Sequence, residues 1–338
     1  MLSNTEVTEE RGSDIMLVKQ RENSILLAQL EALDRRLSAH HSLKEKVQTD
    51  WRMRKSGVRG EKEIEFPLRF LDEQDYLILH NLRLHDQNGL FQMDTLILCE
   101  RFILILEVKI WSGTILFGEN GQVTRIDAEN KEEGFPNPIP QAKLQQHCLL
   151  KWINNHGQSH IPIDFFVVIS FPSTIIKSIS PEHPIPEKVV HNNQLFFRIE
   201  ALDQVYTSQQ VEMDQLRQLA RKLVQAHVPE NANVMEKYGI HAGELIKGVF
   251  CPECGAVSMS RKVGKWFCVK CHHQSVDAHL PALNDYKLLI SNRISNRGAR
   301  DFLQVGSPYI ESTFYKREDS PMLVKRMLVC MRFPNRMR

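Results

Sequence analysis

The sequence predicts an α/β protein in which a mixed β-sheet is flanked by helices, followed by a small cysteine-bearing module and a short helical module. Residues 61–227 show apolar patterns in the order helix, strands, helix, strand, strand, helix, which is typical of a layered α/β unit. Four of the seven cysteines then fall within residues 251–271. A chain of 338 residues is long enough for two or three such units.

The composition is that of a soluble globular protein, with 42% hydrophobic and 25% charged residues. No apolar run approaches the ~18 residues that a membrane-spanning helix needs, and residues 1–14 lack the apolar core of a signal peptide. We therefore expect no membrane contact and a cytoplasmic location. The net charge of +2 conceals a basic C-terminal third, since residues 247–338 hold 16 Lys and Arg against 7 Asp and Glu. This asymmetry predicts a polyanionic partner, although a solvated basic tail would show the same pattern.

The N-terminal part of the chain, residues 1–55, is predicted to be a helical segment that precedes the α/β domain. Apolar residues recur at three- and four-residue steps between 21 and 54, where the sequence contains neither Pro nor Gly. The glycine-bearing residues 57–60 are expected to end this helix, and a new helix is expected to begin at Glu61. The next apolar residues, 75–84, predict the first strand.

Two apolar runs form the centre of the predicted α/β domain, which extends over residues 56–230. Residues 93–99 and 102–110 are short and rich in Ile, Leu and Val, as strands buried on both faces are. A polar turn at Glu100 and Arg101 separates them. We therefore expect an antiparallel hairpin whose opposed residues are placed symmetrically about this turn.

Three charged residues interrupt these apolar runs. In the expected register Asp94 lies opposite Glu107 with Cβ atoms about 5 Å apart, and Lys109 shares a strand face with Glu107. Two buried carboxylates at that distance repel each other, and a divalent cation between them removes the conflict. Oxygen ligands suit Mg²⁺ or Mn²⁺, and Lys109 would then position or deprotonate an attacking water. A structural salt bridge on an exposed face of the hairpin is the alternative.

The rest of the α/β domain is predicted to alternate strands, a loop and helices. Residues 114–117 are expected to continue the sheet, 122–126 to add an edge strand, and 132–140 to form a Pro- and Gly-bearing loop. The later elements are a helix that ends near residue 154, strands at 163–170 and 194–199, and a helix at 208–227.

Two Cys-x-x-Cys pairs predict a zinc ribbon at residues 247–278. Cys251 and Cys254 are separated from Cys268 and Cys271 by thirteen residues, a spacing typical of a four-thiolate zinc site. Zn²⁺ would supply the stability that so small a segment cannot obtain from apolar burial. The clustering also indicates a reducing compartment rather than a secreted disulfide framework.

The C-terminal residues are predicted to form a small helical module at 279–317 and a basic tail at 318–338. Two short helices on either side of Gly306 have the proportions of a helix-turn-helix, as would those of any small helical bundle. Six basic side chains of the ribbon and of this module are expected to contact nucleic acid: Arg261, Lys262, Lys265, Arg293, Arg297 and Arg300.

Together these motifs resemble the nuclease-related domain (NERD), a branch of the PD-(D/E)XK restriction-endonuclease-like fold. The resemblance covers residues 56–170 and rests on short motifs at fixed places. They are Gly-Glu at 60–61, Gln-Met-Asp at 92–94, Glu-Val-Lys at 107–109, Gly113, Asn-Pro at 137–138 and Gln141.

The resemblance implies a four-stranded mixed core sheet flanked by helices, which binds a divalent metal at its edge and hydrolyses phosphodiester bonds. It makes Asp94 and Glu107 metal ligands and Lys109 the residue that positions the water. Glu61 would be the acidic residue of the first helix, and Gln141 the polar residue of a later helix. Proteins with this domain and a C-terminal zinc ribbon look like bacterial cytosolic proteins proposed to process DNA.

We therefore predict a nuclease that uses Mg²⁺ or Mn²⁺ to cleave DNA, with RNA as a second substrate that the pattern allows. The ribbon and the basic C-terminal third would hold the phosphate backbone. The alternative is a non-catalytic DNA-binding protein that uses the nuclease-like domain as a scaffold, and a protein-binding role of the ribbon is a third hypothesis. The sequence contains no Gly-rich phosphate loop, no GxSxG motif and no HExxH motif, which argues against the chemistry of those sites.

Overall fold

The computed structural model describes residues 17–118, 122–157, 161–179, 182, 184–262 and 264–306. The tail predicted at 318–338 and residues 307–317 of the predicted helical module lie outside these residues. The second of the two helices predicted around Gly306 therefore lies outside them as well.

The chain divides into two compact units. Within the described residues, the first unit consists of residues 17–22 and 55–230, and we call it the sheet unit. The second consists of residues 23–54 and 231–306, and we call it the ribbon unit. The segment predicted at 1–55 is therefore shared between the two.

Helices and strands alternate along the described part of the chain. The helices are α1 (Ile25–Arg36), α2 (Lys44–Glu63), α3 (Glu65–Leu68), α4 (Pro138–Asn155), α5 (Leu195–Val205), α6 (Met213–Gln225), α7 (Val234–Tyr238), α8 (His279–Leu289) and α9 (Asn296–Leu303). The strands are β1 (Leu17–Lys19), β2 (Leu77–Asp86), β3 (Gly89–Leu98), β4 (Ile103–Lys109), β5 (Thr114–Phe117), β6 (Gln122–Ile126), β7 (Glu132–Pro136), β8 (Ile163–Ile169), β9 (Ile175–Ser178), β10 (Val189–His191), β11 (Met259–Lys262), β12 (Lys265–Cys268) and β13 (Gln274–Ser275).

A six-stranded mixed sheet forms the centre of the sheet unit, in the order β1-β2-β3-β4-β8-β10. The β2–β3 and β3–β4 pairs are antiparallel, whereas β1 on one side and β8 and β10 on the other pair in parallel. The predicted class, a mixed α/β fold with helices against the sheet, is confirmed. The sheet has six strands rather than the four implied by the resemblance, because β1 and β10 extend it at both edges.

Both faces of this sheet are buried, which explains why its central strands are almost continuously apolar. One face packs against α4 and α6 through residues such as Ile105, Val167 and Leu219. The other face packs against α3 and α5 through residues such as Leu104 and Phe166. Alternate residues of β4 and β8 thus point into two separate apolar cores.

A second, four-stranded sheet in the order β7-β6-β5-β9 corrects three predictions. Residues 114–117 do not continue the large sheet, and residues 132–136 are a strand rather than a loop. Residues 122–126 form an inner strand of this second sheet, between β5 and β7, rather than an edge strand. The chain turns away at Gly113, which has a φ of +88° and lies so close to the carbonyl oxygen of Ile126 that a Cβ atom would collide with it. Strand β7 occupies the edge of the small sheet, where its Pro and Gly are tolerated.

Residues 195–199 form the start of helix α5, and Gln194 ends the short 3-10 helix before it, so the prediction of a strand at 194–199 was wrong. Short apolar runs do not distinguish a buried strand from a helix by periodicity. In the structure Leu195, Ile199 and Leu202 are buried at the four- and three-residue steps of a helix face. Tertiary packing against the large sheet decides the conformation.

Helix α2 continues through Gly57 and Gly60 as far as Glu63, so the predicted break at 57–60 was also wrong. Gly60 permits a close approach between the helix and the sheet. A Cβ atom there would overlap the side chain of Ile110 and lie 2.6 Å from the Oγ atom of Ser170. Glycine at this position lets the helix reach the carboxyl ends of β4 and β8.

The ribbon unit combines α1, residues 44–54 of α2, α7, α8 and α9 with a three-stranded sheet in the order β11-β12-β13. Arg36 of α1 is completely buried here, with its guanidinium 4.6 Å and 4.9 Å from the ring centres of Phe250 and Phe302. Its Nε donates to Asp285 at 2.7 Å, and its Nη1 donates to the carbonyl oxygen of Gly248 at 2.8 Å. This cation therefore stabilises the unit internally.

Among the described helices of both units, none combines the length and the apolar character needed to cross a membrane.

Candidate functional site

The β3–β4 hairpin has the register that the sequence predicts. Thr95 pairs with Leu106 and Leu96 with Ile105, and one further step along both strands brings Asp94 next to Glu107. The Oδ2 atom of Asp94 accepts a hydrogen bond from the backbone N–H of Val108 at 2.9 Å, so this carboxylate lies against the facing strand.

Glu107 and Lys109 lie on one face of β4 and contact each other. The Nζ of Lys109 donates to Oε1 of Glu107 at 2.7 Å and to Oε1 of Gln141 at 3.0 Å. Glu107 is only 3% exposed, whereas the side chain of Lys109 is 24% exposed. The amine is therefore held between a buried acid and helix α4, with part of its surface open to solvent.

Gln145 of α4 also contacts this site, and the sequence analysis did not identify it. Its Nε2 donates to Oε2 of Glu107 at 2.7 Å and to the carbonyl oxygen of Gln92 at 2.9 Å. Its buried Oε1 has no hydrogen-bond partner among the described residues, so one acceptor remains available in the site. Gln145 could have been found from the sequence, because it follows Gln141 by one helical turn and therefore lies on the same face of α4.

Glu61, near the end of α2, is the third acid of the site. Its carboxyl Oε2 accepts from Nη1 of Arg21 at 2.9 Å and from Nδ2 of Asn81 at 2.9 Å. Asn81 adopts a left-handed conformation with a φ of 49°, between the paired residues His80 and Leu82. This irregularity in β2 lets the Asn81 side chain reach the helix.

Arg21, which was not predicted from the sequence, forms hydrogen bonds with Glu61 and with several polar groups around it. Its side chain is only 5% exposed, its Nε donates to Glu65 at 3.2 Å, and its Nη2 lies 3.0 Å from Nδ1 of His80. Burial, together with the charge of Arg21, lowers the pKa of His80 to about 3. His80 is therefore neutral and accepts the hydrogen bond from Arg21.

Burial raises the pKa of Asp94, and the charges of Glu107 and Glu61 raise it further. The N–H of Val108 and the charge of Lys109 lower the pKa of Asp94, but by less than burial and the two acids raise it. The three acids thus favour a bound proton or a bound cation over a bare Asp94 carboxylate. Carboxylate oxygens are the donors that Mg²⁺ and Mn²⁺ prefer, so Asp94 and Glu107 fit such an ion.

Replacing Arg21 with Met is expected to lower the free energy of unfolding of the sheet unit by about 3–5 kcal/mol, because the buried carboxylate of Glu61 would lose its cation. Urea titration measures this change. Adding Glu61→Gln to Arg21→Met should restore most of the loss. A matched control is Arg59→Met on α2, the helix that carries Glu61.

Arg59 pairs with Glu63 at 3.7 Å, and the two side chains are 79% and 45% exposed. Loss of such an exposed pair should change stability by less than about 1 kcal/mol. Equal losses in the Arg21 and Arg59 variants would show that the Arg21–Glu61 pair is not a buried structural contact.

Comparison with known families identifies the segment that carries this site. Residues 56–170 match the nuclease-related domain. The resemblance expected from the sequence motifs is confirmed for this segment. All five predicted site residues from Glu61 to Gln141 fall inside the NERD domain, as does Gln145, whereas Arg21 lies outside it.

The alignment with one relative is longer than the segment that matches the NERD domain. An uncharacterized protein of Bacillus anthracis is 24% identical over 173 residues, which cover 51% of this chain and 77% of that protein. No solved structure matches the chain. The comparisons therefore support a nuclease-related function at the level of the family.

A four-cysteine cluster follows the NERD domain in the ribbon unit. The Sγ atoms of Cys251 and Cys271 are 3.6 Å apart, those of Cys254 and Cys268 are 3.7 Å apart, and all four lie within 4.8 Å of one another. Four sulfurs around a tetrahedral Zn²⁺ at ~2.3 Å are separated by about 3.8 Å. The cluster is therefore consistent with a structural zinc site.

The two cysteine pairs have the same local backbone. Gly255 and His272, the residues that follow the second cysteine of each pair, both adopt left-handed conformations, with φ of +68° and 62°. The N–H of each donates to the carbonyl oxygen of the first cysteine in its pair, at 2.9 Å and 3.0 Å. Two equivalent turns thus present the four sulfurs.

The basic residues predicted to bind nucleic acid lie in two places of the ribbon unit. Lys262 and Lys265 face each other near the tip of the β11–β12 hairpin, next to Arg261. Arg293 and Arg297 are exposed close to the start of α9, and Arg300 of α9 donates to Oδ1 of Asn296 at 3.0 Å. Their role in binding stays a prediction.

Proposed function

We propose that this chain is a divalent-metal-dependent nuclease that hydrolyses phosphodiester bonds in DNA. The convergence of Asp94, Glu107 and Lys109 on one end of the β3–β4 hairpin, inside a NERD domain, supports the proposal most directly. A pair of acids would by itself be weak evidence for a metal-dependent catalytic site. Here one acid is buried, its partner has a raised pKa, and an amine lies within hydrogen-bond distance of the buried acid.

In this proposal Asp94 and Glu107 hold one Mg²⁺ or Mn²⁺. When bound, such an ion lowers the pKa of a coordinated water and offsets charge on the scissile phosphate. The chain's own groups fix the geometry. The N–H of Val108 orients Asp94, and Gln145 orients Glu107 from the opposite side.

Lys109 is the residue that would act on the attacking water or on the developing negative charge. Its Nζ is a compact cation with three donors, of which two are used by Glu107 and Gln141. No group among the residues that the structure describes accepts from the third, which leaves it for a water or for a phosphate oxygen. Gln141 therefore limits where the amine can point, which is the role of a positioning residue.

Glu61 would act as the third acid, and two hydrogen bonds to its carboxylate keep the side chain from rotating freely. Arg21 and Asn81 both bond to its Oε2 atom, which fixes the carboxylate next to Asp94. Its charge contributes to the raised pKa of Asp94 and so to the attraction for a cation. The zinc ribbon and the basic residues of the ribbon unit would hold the phosphate backbone without reading its sequence.

The test uses the full chain, DNA, and either Mg²⁺, Mn²⁺ or a chelator. Cleavage is expected only with the metal, and it should disappear in Asp94→Ala and in Glu107→Ala while both variants keep the circular dichroism spectrum of the parent. Glu100→Ala, at the opposite end of the same hairpin, is the matched control and should cleave like the parent.

Undiminished cleavage in both acid variants would contradict the proposed site. Salt-sensitive DNA binding without any metal-dependent turnover would instead favour the second candidate, a non-catalytic DNA-binding protein.

A further inference from the structure

The β2–β3 hairpin of the sheet unit extends beyond the candidate active site. It reaches a turn between Asp86 and Gly89, and Asp94 lies part-way along β3. We call residues 82–93, which lie beyond Asp94, the outer arm. We propose that Arg83 of the outer arm binds a backbone phosphate of the nucleic acid, one or two nucleotides from the phosphate that is cleaved. The inference rests on the proposed function, because it names a residue that holds the substrate beside the metal site.

The left-handed conformation of Asn81 decides which side chains of the outer arm point away from the core. Leu79 before it and Leu82 after it are three residues apart, yet both are buried in the core that α4 and α6 form with the sheet. Leu84 is buried in the same core. Because successive side chains of a strand point to opposite faces, Arg83 points away from this core.

Arg83 lies on the side of the sheet from which Glu61 enters the site. His80 follows the core residue Leu79 and likewise points away from the core of α4 and α6. Its Nδ1 lies 3.0 Å from Nη2 of Arg21, whose Nη1 donates to Glu61 at 2.9 Å. The acids of β3 and β4 lie next to this network, where the two strands stop pairing. The outer arm therefore leads to the acids from the side of Glu61.

Gln145 fixes the position of the outer arm relative to the metal site. Its Nε2 donates both to Oε2 of Glu107 and to the carbonyl oxygen of Gln92. Gln92 is paired directly with Arg83 in the hairpin. One buried amide thus holds an acid of the proposed metal site and the strand pair that carries the arginine, so the arginine has a defined place beside the site.

The distance between Arg83 and the acids suits a neighbouring phosphate. Arg83 and Gln92 are two residues further along the hairpin than Asn81 and Asp94. Two residues of a strand span roughly 7 Å. Each strand of a DNA duplex carries one phosphate per ~3.4 Å of helix axis. A cation at this separation is therefore placed for a phosphate one or two nucleotides from the scissile one.

The charges on this face of the outer arm complement a phosphate backbone. Arg83 is partly exposed, and no described residue accepts a hydrogen bond from its guanidinium or pairs with its charge. The other residues of this face are neutral or weakly basic: His85, Leu90 and Gln92. Asp86 alternates with them and is hydrogen-bonded to Cys148 of α4 on the other side. The planar guanidinium group can donate to two oxygens of one phosphate.

The test measures binding of the full chain to a fluorescent DNA duplex by anisotropy, with a fixed low concentration of Ca²⁺ in place of Mg²⁺. A denaturing gel checks that the probe stays intact. Titrations at several salt concentrations give the slope of log K against log salt, which falls by about 0.9 for each phosphate contact that is lost. We expect Arg83→Gln to lose one such contact and to bind about tenfold more weakly, as for the loss of one charge-assisted hydrogen bond.

Two further variants make the result specific. Arg83→Lys keeps the positive charge and should keep the parent's salt slope. Arg221→Gln removes the same charge from an exposed position on α6, the helix that packs against the opposite side of the hairpin. It should bind DNA like the parent. The circular dichroism spectrum of each variant should match that of the parent, because Arg83 has no described partner to lose.

Parent-like affinity and slope in Arg83→Gln, or equal losses in the Arg83 and Arg221 variants, would overturn the inference. Weaker binding by Arg83→Gln with an unchanged salt slope would also overturn it, since the loss would then come from altered structure and not from a phosphate contact. None of these outcomes requires turnover. A chain that binds DNA through Arg83 without cleaving it would contradict only the proposed nuclease activity, whereas cleavage that is indifferent to Arg83 would contradict only this inference.

Discussion

Gly60→Ala is expected to reduce metal-dependent cleavage by about 100-fold, whereas Gly57→Ala on the same helix should leave it intact. The added methyl group at position 60 would overlap Ile110 and crowd the buried Ser170, so the end of α2 must move away from β4 and β8. Glu61 is the next residue and would move with it. A displacement of about 1 Å in a catalytic site is enough for a loss of this size.

The Gly57 variant makes this experiment specific, because nothing lies within 4 Å of a Cβ atom at that position. Alanine there should raise the free energy of unfolding by about 0.5–1 kcal/mol through helix propensity alone. Rescue of Gly60→Ala by Ile110→Ala, which removes the overlapping atoms, is also expected. Parent-like cleavage by Gly60→Ala would show that the close approach of α2 does not position the site.

Removal of Zn²⁺ from the four-cysteine cluster is expected to unfold the ribbon, and this is the largest stability effect that we predict. Structural zinc sites bind with roughly 10–16 kcal/mol in small domains, and here the metal would hold both turns of a short three-stranded sheet. Cys268→Ser should have the same effect as a strong chelator. Circular dichroism and zinc release, followed with a colorimetric dye, measure both changes.

Glu253→Ala is the control for the zinc prediction. Glu253 is exposed and lies between Cys251 and Cys254, so the variant changes the same turn without removing a sulfur. It should keep bound zinc and a folded ribbon. A Cys268→Ser protein that keeps its zinc and its spectrum would contradict a four-thiolate site.

The local features of the candidate site could be predicted from the sequence. Asp94, Glu107 and Lys109 stand out because each interrupts an apolar run, and a short turn fixes the register of the strands around them. The cysteine pairs are equally local, since each lies within a single turn. In both cases a pattern of a few residues determines the geometry.

The groups that support the site could not be predicted in the same way. Arg21 and Glu61 are 40 residues apart in the chain, and they meet only because β1 pairs in parallel with β2. The left-handed residue Asn81 has no sequence signal that identifies it in advance. Gln145 was also missed, although its position one turn after Gln141 on α4 is a signal from which it could have been found.

Glycine was the main source of error in the predicted helices and sheet. Gly60 was interpreted as a helix breaker, but the helix continues through it, and the absent side chain leaves room for Ile110 and Ser170. Residues 114–117 were expected to continue the same sheet, whereas the close contact of Gly113 with Ile126 directs the chain into a second sheet. Both errors arise because the packing partner is distant in sequence.

The most direct test of the account is a titration of the zinc-loaded full chain with Mn²⁺, followed by electron paramagnetic resonance of the bound ion. We predict one Mn²⁺ site whose affinity rises with pH, since the raised pKa of Asp94 means that the ion must displace a proton there. Asp94→Asn combined with Glu107→Gln should abolish this site, and Glu100→Gln should retain it. Binding of Mn²⁺ with parent affinity by the double variant would contradict the claim that these two acids share a cation.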